Sequence, residues 1–246
     1  MNIVEFYNNP MGKGSTVLNI RATKADFDKR YDKISKDVNH TTYFIKKDIY
    51  ISINIPSSVK GIFYDVVIKF TPNRYSAGVA VTDMDFQVFS NSPSFLYTYA
   101  NTYAKRKMLI RELDRKLSRE MLKNLATTRN PYSIVSYDFT VYAALKYIFQ
   151  NGHTNINSLK VNCIESNSLT PLLKSVQDWE TLQKKRKIQK GENKRLEEEE
   201  RKSKLKEIKS PQDKKKTGNQ KTDRIKASKT NKQVKNVKVS KKKKSI

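Results

Sequence analysis

The sequence predicts an α+β fold: an antiparallel three- to four-stranded sheet packed by helices, followed by a charged helical or disordered basic tail. Three observations carry this expectation. Apolar residues alternate with period two between residues 42 and 89, they recur at helical spacing on either side of that stretch, and charge is segregated from aromatics. All 10 Phe, all 13 Tyr and the single Trp precede residue 181, whereas residues 181–246 hold 26 Lys and Arg against 8 Asp and Glu, net +18 of the chain's +26. Strands first and helices after is the order of a sheet with its helices gathered on one face.

Each element has its own justification. Ile3–Tyr7 is a short apolar start, and the Asn, Pro and Gly residues from Asn8 to Ser15 read as a loop. From Ala25 to Val38, Phe27, Tyr31 and Ile34 recur at i, i+4 and i+7, with Thr23 as the N-cap, which predicts a one-faced helix. Thr42–Ile55, Ile62–Phe70 and Gly78–Phe89 are rich in β-branched and aromatic residues. In the first, Ile49, Ile51, Ile53 and Ile55 alternate with Tyr50, Ser52 and Asn54. The short connections Pro56-Ser57-Ser58 and Thr71-Pro72-Asn73 favour an antiparallel meander.

Ser92-Pro93 then supplies an N-cap and a first-turn proline for a helix through about Lys107. A second helix is predicted over Met108–Ala126, with Leu109, Leu113, Leu117, Met121 and Leu125 four residues apart. A third runs from Asn130-Pro131 to Phe149, with Gly152 as its C′ stop. Leu169, Leu172, Leu173 and Val176 outline a last docking helix. Asp178–Ser210 reads as a charged single helix, with Glu197→Arg201, Glu198→Lys202 and Glu200→Lys204 in the favourable i,i+4 order. Its sparse apolar residues keep no heptad, which argues against a coiled coil. The expected organisation is an N-terminal arm (1–20), a globular domain (21–176), a charged linker (177–210) and a disordered Lys-rich tail (211–246), the tail having too few apolar groups to offset chain entropy.

The chemistry legible in the sequence is sparse. Gly12-Lys13-Gly14-Ser15-Thr16 brings glycines beside Lys and Ser, but Gly14 separates Lys13 from Ser15 where a phosphate-cradling loop needs them adjacent, so it reads as a flexible turn. His40 and His153 are far apart in sequence, and neither has a second ligand at metal-binding spacing. Cys163 is the single cysteine; a nucleophile paired with a histidine is formally available, and inert packing is the commoner role. It also excludes an intrachain disulfide, consistent with a reducing compartment. Asp83 and Asp85, on one face of a predicted strand, could hold a divalent ion or act as acid and base; a solvated strand face is favoured. The sequence therefore assigns no catalytic, metal or cofactor residues and predicts a non-enzyme. No signal peptide and no apolar run of bilayer length is apparent. The aromatics of Phe95–Tyr103 and Tyr137–Phe149 could stack bases, though core packing explains helical spacing better and leaves some tyrosines for a protein interface.

The basic tail is the one strong chemical signal. Lysine dominates over arginine and no aromatics interleave, so it is expected to meet polyanions as a string of point charges without reading bases. The residues expected to do so are Lys184, Lys185, Arg186 and Lys187, then Lys214, Lys215 and Lys216, and the terminal run Lys241, Lys242, Lys243 and Lys244.

The segments Thr23–Tyr31, Phe63-Tyr64-Asp65-Val66-Val67-Ile68-Lys69-Phe70, Val88–Tyr99 with its Ser90-Asn91-Ser92-Pro93 core, and Arg129-Asn130-Pro131-Tyr132 resemble small structural proteins of tailed bacteriophages of low-GC hosts. The resemblance covers about residues 20–150. It implies a virion or assembly component, assembled in the host cytoplasm and working near packaged DNA in the head, neck or tail. Its partners would be other virion proteins and, through the tail, nucleic acid without sequence preference, with no membrane role and with homo-oligomerisation left open. The alternative is an intracellular nucleic-acid-binding factor acting in phage regulation or replication.

Overall fold

The computed structural model describes residues 2–8, 24–74, 79–116, 130 and 135–209. The elements in chain order are α1 (Ile3–Asn8), α2 (Lys24–Ile34), β1 (Asn39–Ile45), β2 (Asp48–Pro56), β3 (Phe63–Thr71), β4 (Asp85–Ser90), α3 (Pro93–Thr98), α4 (Ala100–Lys105), α5 (Phe139–Gln150), α6 (Ile156–Lys160), β5 (Cys163–Ser166), α7 (Thr170–Ser175) and α8 (Trp179–Lys209). Single 3-10 turns occupy Ser35–Asp37, Val81–Asp83 and Arg111–Lys116. The chain divides into two compact units, Met1–Glu199 and Glu200–Ile246.

The α+β class holds, and the strand count is corrected to five, in the order β4-β3-β2-β1-β5. Strands β1 to β4 form the expected antiparallel meander, and β5 adds to β1 in parallel, Thr42 opposite Cys163 and Ile45 opposite Ser166. Two of the five strands come from one predicted segment. Residues 42–55 fold back at Lys46-Lys47, with Ile45 opposite Asp48 and Lys46 at φ 57°. Tight hairpins demand a left-handed residue there, usually Asn or Gly, so two lysines gave no turn signal.

The isoleucine alternation builds one face of the sheet. Ile49, Ile51, Ile53 and Ile55 of β2 face Phe70, Ile68, Val66 and Tyr64 of β3, and all are buried. Helix α5 packs on this side: Thr140 bonds Ser90 of β4, and Tyr147 bonds His40 of β1. The opposite face is not bare. Lys69 and Tyr50 both reach Glu112 in the Arg111–Lys116 turn, so connecting chain covers part of it.

The helices after β4 depart from expectation in ways the sheet explains. Ser92 does cap α3, accepting from the Phe95 amide at 3.2 Å, but the helix breaks at Tyr99 into α3 and α4. Residues 108–116 are not α-helical. The Val88 amide donates to the Met108 carbonyl and Ile110 donates to Val88, so 108–110 run along the open edge of β4 before the 3-10 turn. Unpaired strand-edge groups have no other partner here, and satisfying them outweighs a local helical preference. Leu109 and Leu113 are buried all the same; Leu117, Met121 and Leu125 lie outside the described residues. Helix α5 starts at Phe139 with Asp138 as its N-cap, and Gly152 at φ +69° follows its end as expected.

Within the stretch expected to be an N-terminal arm, α1 is docked. Ile3 and Phe6 are buried, Phe6 lying 5.4 Å from Tyr137 edge-on and 5.3 Å from Phe86. Residues 9–23, with the Gly12–Thr16 motif and Thr23, are outside the described residues. Helix α7 buries Leu172 and leads to a buried Val176, which is the predicted docking helix.

Candidate polyanion-binding surface

Helix α8 is the structure's version of the charged linker, and its first turns fix it to the body. Asp178 accepts from the Thr181 amide at 2.8 Å, a standard N-cap. Trp179 is buried with its ring edge-on to Tyr97 at 5.8 Å, and Leu182 is buried against Ile62 and Tyr64. The Gln177 amide donates to Asp65 Oδ2 at 2.8 Å, which ties the start of α8 to β3. The β2–β3 loop runs beneath the helix. Its Gly61 adopts φ +82°, a backbone that favours glycine, and the Gln189 side chain lies an ordinary contact distance, 3.5 Å, from where a Cβ would stand. Beyond these turns the apolar residues face solvent: Ile188, Leu196 and Leu205 are 63%, 60% and 57% exposed. Among the described residues α8 shows no apolar seam for a helical partner. Lys194 lies 4.0 Å from Glu198, and, in the second unit, Lys204 lies 3.8 Å from Glu200, one of the three i,i+4 pairs expected.

Two concavities flank α8. The larger, about 690 Å³, lies between α2, the β2–β3 loop, the start of α3 and α8. Arg30, Lys33 and Arg186 supply its cations, Ser57, Ser58 and Ser94 its hydroxyls, and Ile34, Pro93 and Phe139 part of its apolar wall. Arg30 lies over the Phe139 ring, its guanidinium carbon 3.8 Å from the centroid. The second, about 620 Å³, lies between Ser58-Val59 and α8 and is lined by Arg186, Lys187, Lys190 and Lys194, with Glu197 at one end. The Gln183 side-chain nitrogen is buried there without a hydrogen-bond partner.

Of the residues singled out from sequence, Arg186 and Lys187 line these grooves; Lys184 and Lys185 are exposed, Lys185 donating to Gln177 Oε1 at 3.1 Å. Lys214, Lys215, Lys216 and Lys241–Lys244 are outside the described residues. Lys190 and Lys194 were missed although Arg186, Lys190 and Lys194 recur every fourth residue, a signal that periodicity alone provides. Arg30 and Lys33 carried no such signal, because only the tertiary fold sets α2 beside α8.

The other candidates resolve differently. Asp83 and Asp85 do not share a strand: Asp83 closes the Val81–Asp83 turn, and only Asp85 belongs to β4, where it accepts from Asn73 at 3.1 Å. The Val81 amide bonds Thr154 and Ala80 pairs with Asn155, which draws this part of the predicted strand away to the α5–α6 connection. The aromatics chiefly build the core: Phe95, Tyr99, Tyr103, Tyr137 and Tyr142 are all buried. Cys163 sits in β5 with its sulfur 3.3 Å from the Lys160 carbonyl. Among the described residues no group of three or more His, Cys, Asp or Glu could hold a metal, and no helix is long and apolar enough to cross a membrane.

The histidines, distant in sequence, meet with ring centroids 4.2 Å apart and planes tilted by 45°, and His40 Nδ1 shares a 2.9 Å hydrogen bond with the Tyr147 hydroxyl. Burial, and then the neighbouring His153, hold His40 below the ordinary value of 6.5; burial lowers His153 as well. A depressed folded value means that the unfolded chain takes up protons first, so this contribution to stability is full above pH 6.5 and declines as the pH falls below it. Thermal midpoints measured from pH 7.5 to 5.5 are expected to drop more in the wild type than in His153→Phe. Parallel curves for the two proteins would sink the assignment.

The fold and surface together define a class: an α+β body with a five-stranded mixed sheet and a cation-lined cleft under its last helix. Comparison with protein-family models, curated proteins and solved structures finds no match to this chain.

Proposed function

We propose that this chain is a non-enzymatic structural or assembly protein of a tailed-phage virion. In this reading the folded body docks on neighbouring subunits, while the basic end of the chain contacts DNA or another polyanion. The observation that supports the polyanion part best is helix α8, anchored by Trp179 and Leu182 and otherwise charged, with 12 Lys and Arg against 7 Glu and isolated exposed apolar residues, as it leads toward the Lys-rich tail. A helix polar nearly all round has no core to join and serves as a charged lead-out. The virion part rests on the framework segments that resemble phage structural proteins.

Two measurements test it. Purified virions should contain the protein at a fixed stoichiometry by mass spectrometry; its presence in infected lysate alone would remove the virion claim. Exchanging Lys214–Lys216 and Lys241–Lys244 for glutamine in the full chain should weaken binding to duplex DNA and flatten the log–log salt dependence by up to about 6. Unchanged affinity and slope would overturn the tail's role.

A further inference from the structure

We propose that the cleft between α2, the β2–β3 loop and α8 holds one nucleotide of a single-stranded nucleic acid, the base on the Arg30 guanidinium that covers Phe139 and the phosphates on Lys33 and Arg186. The choice of nucleic acid as ligand rests on the proposed function; the site itself lies in the folded body and does not involve the tail.

Charge is the first argument. Among the described residues the partly or fully buried lysines Lys69 and Lys146 are matched: Lys69 pairs with Asp48 and Glu112, and Lys146 with Asp28 and Asp32. Arg30, Lys33 and Arg186 differ, since no carboxylate of the described residues lies within 4.0 Å of any of them. Three cations from two elements far apart in sequence converge on one concavity without an acidic partner. The carboxylate that borders it, Asp138, is turned into the body, where both oxygens accept hydrogen bonds from Thr140 and one each from Ser92 and Val141. The cleft's excess positive charge is therefore not answered from within.

Shape and surface are the second. A volume of about 690 Å³ lies within the roughly 300–1,000 Å³ of small-molecule sites. It suits a nucleotide, whereas a duplex, whose major groove alone is about 12 Å wide, could present only its backbone. Much of the wall is apolar, and the exposed Arg30 guanidinium sits 3.8 Å from the Phe139 ring centroid at its edge. Bases of single strands are held on such planes. An acidic peptide would use the cations but leave this stacking plane idle.

Continuity is the third. Arg186 lines both concavities, and Lys190 and Lys194 follow it at one-turn steps of about 6 Å along α8. Successive phosphates of an extended strand can follow such a track.

The test uses the full chain and two fluorescent probes, an eight-residue thymidine strand and an abasic deoxyribose-phosphate strand of equal length, read by anisotropy at fixed salt. The wild type should bind the base-bearing strand about 5-fold or more tighter. Arg30→Glu should erase that preference and weaken the thymidine strand about tenfold, while Arg30→Lys should keep abasic binding and lose the preference. Arg30 is exposed, so neither change threatens the fold. Equal affinity of the two strands for the wild type, a preference that survives Arg30→Glu, or displacement by polyglutamate at equal charge would each overturn the proposal. The glutamine-tail variant separates the two readings: if it binds both strands as the wild type does, the tail reading fails while the base preference is still decided at Arg30.

Discussion

Asp65→Ala is expected to cost about 3 kcal/mol of folding stability and to release the start of α8 from the body. Asp65 is 1% exposed, and its carboxylate accepts from Asn54 Nδ2 at 2.7 Å, Asn91 Nδ2 at 2.9 Å and the Gln177 amide at 2.8 Å. It thus joins β2, β3, the residue after β4 and the turn before α8 at one point. Alanine leaves these donors without the acceptor, and each buried donor so stranded costs about 1–3 kcal/mol; Asn91 retains the Gln177 carbonyl, which moderates the sum. Burial pushes Asp65 above the ordinary carboxylate value, and the three donors act against that rise. The net raised value means that protonation favours the fold: this part of the stability is present below about pH 3.8 and is lost as the pH rises through the folded value. Asn is a poor substitute, since its NH2 would replace one accepting oxygen among groups that only donate. Urea titration reads the stability, and hydrogen exchange at Gln177–Leu182 reads the release. A loss below about 1 kcal/mol, or unaltered exchange, would contradict the anchoring role.

The second large effect falls on Asp138, 4% exposed and placed where two helices begin. Its Oδ1 caps α5 by accepting from the Val141 amide at 3.1 Å; its Oδ2 accepts from the Ser92 hydroxyl at 2.7 Å, and Ser92 in turn caps α3. Thr140 donates to the same carboxylate at 2.9 Å and 3.0 Å. Asp138→Ala removes a cap worth about 0.5–2 kcal/mol and takes the acceptor from the buried Ser92 hydroxyl, a loss of about 1–3 kcal/mol more, while Thr140 keeps Ser90 and Ser92 as partners. A total of about 3–4 kcal/mol should lower the melting midpoint by about 10 °C for a chain of this size. Asp138→Asn, which can still cap, should recover much of it. A midpoint within about 3 °C of wild type would refute the account.

How far the molecule was legible differs from element to element. The isoleucines of β2 declared a strand with one buried face, because alternation is a property of the backbone that any packed sheet must respect. Ser92-Pro93 and Gly152 declared helix boundaries through capping chemistry that is equally local. The Lys46-Lys47 turn, the 108–110 edge segment and β5 were not legible. In the first, lysine occupies a conformation usually reserved for Asn or Gly; in the second, the edge of β4 determined the backbone. A four-residue strand pairing with β1 across more than 100 residues leaves no periodic trace. At the candidate site the contrast is the same: Arg186 and Lys187 belong to a visible charge run, and Arg30 and Lys33 are ordinary helix-surface residues until α8 is laid beside them.

The sequence by itself determined the α+β class, the confinement of aromatics to the first 180 residues and the net +18 carried by the last 66. These follow from composition and from periods of two and 3.6, which need no knowledge of neighbours. The tertiary structure alone decided the fifth strand, the pairing of His40 with His153, and the meeting of Arg30 and Lys33 with Arg186. Each is a contact between segments more than 100 residues apart, and such contacts depend on which surfaces remain unpaired once the local elements have formed.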